Sequence, residues 1–60
     1  MKYQFIKNCP QIPVLMNKSY RKYNVITNCF KSKIFTDSII HYTKMSIELI
    51  PIEFLKEYKH

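Results

Sequence analysis

Glycine is absent from all 60 residues of this chain, and that absence restricts its folding more than any residue it contains. Two-residue hairpin loops and the left-handed caps that end helices need a residue at positive φ, which glycine adopts without steric cost. Asparagine is the cheap substitute. Asn8, Asn17, Asn24 and Asn28 are therefore the candidate turn residues, and none precedes a glycine. A chain so poor in tight turns reads as linked elements held in shape by a partner, rather than as an autonomous β-domain.

Length points the same way. Sixty residues allow one small domain, 1–60, and a chain of this size buries only about 60% of the surface its unfolded form exposes. Such a core is marginal without a staple, a metal or a partner, so the isolated chain is expected to melt weakly and without cooperativity. Alanine and tryptophan are also missing, while isoleucine and lysine supply nine residues each. Residues with A/T-rich codons dominate, which fits an A/T-biased genome and accounts for part of the lysine content. The 47% hydrophobic and 23% charged content is that of a globular chain, not of a disordered tail.

Codon bias does not explain where the acids are. Seven cations and no acid fall in residues 1–33, whereas residues 34–60 carry three cations against four acids, giving the net +6. The chain thus divides into a basic segment, 1–33, and an amphipathic C-terminal part, 34–60. A one-sided positive field attracts polyanions, either nucleic acid or an anionic membrane surface. Within "NKSYRKYN", residues 17–24, cations alternate with rings. Lysine and arginine neutralise phosphates, and tyrosine stacks on unpaired bases. The candidate nucleic-acid-binding residues are Lys2, Lys7, Lys18, Tyr20, Arg21, Lys22, Tyr23, Lys31 and Lys33. The competing reading makes the two tyrosines core rings and the lysines a solvated rim.

The fold expected is a small, irregular α+β arrangement. Pro10 and Pro13 force "CPQIPV" into an extended path. The β-formers Tyr20, Tyr23, Val25, Ile26, Thr27 and Phe30 predict a strand near 20–30. Asp37 is a candidate N-cap for a short helix over 37–45. An extended stretch to Ile50 follows, because Ile47 and Leu49 alternate with Ser46 and Glu48. Pro51 suits the first position of a second helix over 51–59, with Glu53 in its first turn and Lys59 and His60 at its end. Ile47, Ile50, Phe54, Leu55 and Tyr58 fall at helical spacing and form the candidate protein interface, or else pack on the chain's own core.

Chemistry-bearing constellations are sparse. Cys9, Cys29, His41 and His60 are too widely spaced to nucleate a zinc site, so no metal and no cofactor is expected. A hydrolytic reading would use Cys29 as nucleophile, His41 as base and Asp37 as orienter, but nothing supplies oxyanion donors. No uninterrupted apolar run suggests a secretory signal or a spanning helix, so both cysteines are expected to stay reduced. The expected location is intracellular, including a mitochondrial or other organellar matrix. The function expected is that of a non-enzymatic structural subunit of a large ribonucleoprotein, a small ribosomal protein contacting rRNA and a neighbouring protein. The alternatives are an accessory subunit of a membrane-bound complex resting on anionic lipid, and a small phage or bacterial toxin or regulator.

Overall fold

In the computed structural model, which describes residues 1–59, six short strands form two three-stranded antiparallel sheets. The strands are β1 (Tyr3–Phe5), β2 (Val25–Ile26), β3 (Cys29–Lys31), β4 (Ser38–Tyr42), β5 (Ile47–Pro51) and β6 (Leu55–Glu57). The first sheet runs β2-β1-β6 and the second β3-β4-β5. First and last strands therefore lie side by side, in the register Tyr3↔Glu57, Gln4↔Lys56 and Phe5↔Leu55. Only Thr27 and Asn28 separate β2 from β3, so one bent length of chain serves both sheets. The strand expected near 20–30 is this bent piece, shorter than predicted and broken at Asn28, whose φ is 56°.

The expectation of an α+β fold with two short helices is overturned. Residues 38–42 carry β-branched Ile39 and Ile40 and aromatic Tyr42, which suit a pleated surface better than a helix. They pair with β3 on one side and with β5 on the other. Asp37 caps no helix; its backbone carbonyl accepts a hydrogen bond from Ile52 N–H at 2.9 Å. The segment 51–59 keeps only a single 3-10 turn, Ile52–Phe54, before turning into β6. A helix of eight or nine residues is marginal by itself, and pairing with β1 satisfies the same backbone groups in a ladder. His60, expected at the end of that helix, lies outside the described residues.

Turns close without glycine by three devices. Val14 (φ 73°) and Tyr23 (φ 77°) take the third position of turns closed by Leu15 N–H to Ile12 C=O, 3.2 Å, and Asn24 N–H to Arg21 C=O, 3.0 Å. A residue at positive φ there, with proline before it in the first case, is the signature of a type II turn. Second, hydroxyls replace backbone partners. Thr43 Oγ1 accepts from Ser46 N–H at 2.9 Å and donates to Ser46 C=O at 2.8 Å, closing the β4–β5 hairpin. Ser32 Oγ accepts from Ile34 and Phe35 N–H. Third, asparagine side chains brace the loop between β1 and β2: Asn8 Oδ1 accepts from Lys22 N–H and Asn24 Oδ1 from Arg21 N–H. Within "CPQIPV", Cys9 pairs with Tyr20 in an antiparallel bridge and the chain turns only from Ile12 to Leu15.

The core lies between the sheets. Tyr3, Phe5, Ile26 and Leu55 come from the first sheet, Cys29, Ile39 and Ile50 from the second, and Cys9, Met16 and Tyr20 from the long loop. The Phe5 and Tyr20 rings stack at 4.6 Å with planes 11° apart, a favourable offset arrangement. Both cysteines are buried with free thiols. Residues from both ends of the chain close one shared core.

Candidate nucleic-acid interface

Everything basic in residues 17–24 hangs from the loop between β1 and β2, and a buried polar knot holds that loop down. Its lower part is zipped by the Cys9↔Tyr20 bridge, with Cys9 N–H to Tyr20 C=O at 2.8 Å and the reverse bond at 2.9 Å. Tyr20 then passes through the core and donates its hydroxyl to Glu48 Oε1 at 2.5 Å. Asn17 N–H donates to Glu48 Oε2 at 2.8 Å. His41 Nδ1 lies 2.9 Å from Glu48 Oε1, and because an ionised carboxylate only accepts, this nitrogen carries the proton. Asn17 Nδ2 also reaches Ser46 Oγ at 2.6 Å, tying the loop to the β4–β5 hairpin.

Glu48 is fully buried. Burial by itself would push its carboxyl up. Hydrogen bonds from Tyr20, the Asn17 backbone and His41, together with the His41 charge, outweigh that and hold it below the ordinary value. The Tyr20 hydroxyl is pushed up, first by burial and then by Glu48. A buried carboxylate with all its partners in place is a structural anchor, and breaking one partner is costly.

Above this knot opens a cleft of about 590 Å³. Lys18 and Lys44 both line it; Asn24, Thr27, Thr43 and His41 contribute polar groups, and among the described residues the one acid in the lining is the buried Glu48. Lys18 Nζ sits 5.0 Å from the Tyr20 ring centroid and Lys22 Nζ 5.0 Å from that of Tyr23, both within cation–π range. Tyr23 is 67% exposed, its ring presented outward from a strained backbone.

The predicted contact residues separate accordingly. Lys18, Arg21, Lys22 and Tyr23 are grouped on the long loop and exposed. Tyr20 is in the core and cannot stack on a base. Lys7 is engaged elsewhere, 3.5 Å from Glu53 and over the Phe54 ring at 4.9 Å. Lys2 is exposed next to β1, its carbonyl accepting from Tyr58 N–H. Lys31 and Lys33 lie on β3 and the loop after it, away from the cleft lining. Of the predicted protein-interface residues, Ile50 and Leu55 are core, Phe54 packs against that core, Tyr58 is half-buried, and Ile47 alone is well exposed. Lys44 and the amide and hydroxyl lining were not predicted, because residues 26 positions apart in sequence come to one cleft only where the long loop is tied to the β4–β5 hairpin.

Cys29, His41 and Glu48 fall in one cross-strand row of the second sheet. The row is not a nucleophilic triad. Cys29 is fully buried, donates to Thr27 C=O at 3.4 Å, and is pushed by burial up to about 11, only partly offset by the N-terminal charge. Such a thiol stays protonated at neutral pH. Asp37, the predicted orienter, contacts Ser38 instead, at 3.5 Å. Among the described residues no group of three His, Cys, Asp or Glu side chains converges as a metal site would require. No family model matches this chain, and neither a curated protein nor a solved structure matches it.

Proposed function

We propose that this chain is a non-enzymatic RNA-binding subunit of a larger ribonucleoprotein, in the manner of a small ribosomal protein, and that it holds a single-stranded segment across the cleft. The observation that carries this reading is the lining of that cleft. Lys18 and Lys44 line it together with amides and hydroxyls, no exposed acid stands among its described lining residues, and Arg21, Lys22 and Tyr23 are exposed further along the same loop. A volume of about 590 Å³ lies within the roughly 300–1,000 Å³ of small-molecule sites, enough for one nucleotide. Phosphates would meet the lysines and Arg21, a base would stack on Tyr23, and Asn24, Thr27 and Thr43 would meet polar edges.

Titration of a labelled single-stranded RNA across a salt series tests this. Arg21→Glu with Lys22→Glu is expected to weaken binding by more than about tenfold, and to flatten the salt dependence by about 0.7 in slope per lost contact. Lys56→Glu with Lys59→Glu should have a much smaller effect. Equal losses would reduce the interaction to bulk charge. Partition onto anionic vesicles with no RNA affinity would replace the proposal by a lipid-surface role.

A further inference from the structure

His41 has two ring nitrogens, and the core uses one of them. Nδ1 donates to Glu48 Oε1 at 2.9 Å, with the Tyr20 hydroxyl 3.5 Å away. Nε2 has no hydrogen-bond partner among the described residues, although His41 is only 9% exposed. The Tyr3 hydroxyl is the one side-chain nitrogen or oxygen among the described residues that is sealed from solvent without a partner. His41 Nε2 is therefore open to solvent, and the opening that His41 lines is the cleft it shares with Lys18 and Lys44. A ring whose inner nitrogen is held by a carboxylate presents its outer nitrogen in a fixed direction, the arrangement that orients a histidine towards a ligand.

The surrounding charges select that ligand. β5 supplies the ionised Glu48 on one side of His41, and β3 the protonated thiol of Cys29 on the other, itself under the N-terminal charge. The long loop supplies the neutral Tyr20 hydroxyl and Lys18, and the β4–β5 hairpin supplies Lys44. A cation at Nε2 would meet two lysines, and a metal ion would find no cluster of His, Cys, Asp or Glu to complete its shell among the described residues. An anion would set an imidazolium between two negative groups, the state in which both nitrogens donate. We infer that His41 Nε2, together with Lys18 and Lys44, holds one phosphodiester of the bound strand in this cleft, and that the ring takes up a proton from solvent in doing so. The inference rests on the RNA reading of the cleft and adds to it an oriented donor and a pH dependence.

Nitrogen-15 NMR of the imidazole in the intact chain follows Nε2 directly. The probes are sulfate, whose charge is constant from about pH 6 to about pH 8, and a short oligouridylate. Both should move the Nε2 resonance towards its protonated position, and sulfate should bind at least about threefold tighter at the lower pH. His41→Asn keeps an amide donor near the place of Nδ1 and lacks Nε2. It should weaken both probes by about tenfold and lose the pH dependence. His41→Gln sets an uncharged donor near the place of Nε2 and should recover part of the binding without the pH dependence. RNA bound with the wild-type Nε2 resonance unmoved, sulfate affinity independent of pH, or full RNA affinity in His41→Asn would overturn the inference and leave the RNA reading standing. Sulfate held at His41 by a chain with no affinity for RNA would overturn both.

Discussion

Glu48 shows how one side chain can set the geometry of a distant surface. Its carboxylate joins the loop (Tyr20 and Asn17) to the hairpin (His41), and the lysines that line the cleft ride on those two elements. Glu48→Gln leaves one of the three donors facing an amide in place of an acceptor, and is expected to cost about 1–3 kcal/mol in urea unfolding. The pH profile should carry the same signature. A carboxyl held below its ordinary value of 4.5 contributes stability that is present above that value and lost as pH falls through the folded one. Cys29 moves the other way. Its contribution is complete below its ordinary 9.0 and is lost as pH rises towards about 11. Thermal midpoints should therefore be level between these limits and fall on both sides. Glu48→Gln should flatten the acid limb; an unchanged acid limb would remove Glu48 from this role.

Among the elements, the turns define this protein. Residues that rarely adopt positive φ do so at Val14 and Tyr23, and a cheap one does so at Asn28. Val14→Gly is expected to stabilise the chain by up to about 1 kcal/mol, the relief of strain exceeding the added freedom of the unfolded state. Asn28→Ala should destabilise it by a similar amount. A urea series on both variants decides the matter, and a destabilised Val14→Gly would mean that the turn is not strained. Of the asparagines expected to form the turns, Asn28 takes positive φ, whereas Asn8 and Asn24 act through side-chain oxygens that accept backbone N–H groups, a role the sequence did not announce. Nor were the hydroxyl-closed turns at Ser32 and Thr43 legible, since serine and threonine serve equally in strands, caps and loops. Alternation over Ser46–Leu49 announced β5, but Glu48 turns inward and Ile47 and Leu49 outward. The inward carboxylate is tolerated only because Tyr20, 28 positions away, and His41 meet it.

Taken whole, the molecule measures 27 × 24 × 22 Å and shares one core between both sheets and the long loop. Pairing of β1 with β6 makes the ends of the chain interdependent. Removal of any strand would open that core, so unfolding is expected to be a single cooperative transition. This replaces the weak, non-cooperative melt that length and missing glycine suggested. Coincident near- and far-ultraviolet circular dichroism melts of the isolated chain would bear it out, and separate transitions for the two signals would refute it.

By itself the sequence determined the lopsided charge, the globular composition, Asn28 as a residue for positive φ, and part of the strand expected near 20–30, of which Val25–Ile26 and the start of Cys29–Lys31 form. Only the tertiary structure decided that residues 38–42 and 55–57 are strands, that Tyr20 is a core ring while Tyr23 is an exposed one, and that Lys44 joins Lys18 at one cleft. The reason is energetic. Over segments of three to eight residues, helix and strand differ locally by less than the backbone bonds and apolar burial that a distant partner strand supplies. The choice therefore belongs to β1 and β3, not to the segments themselves.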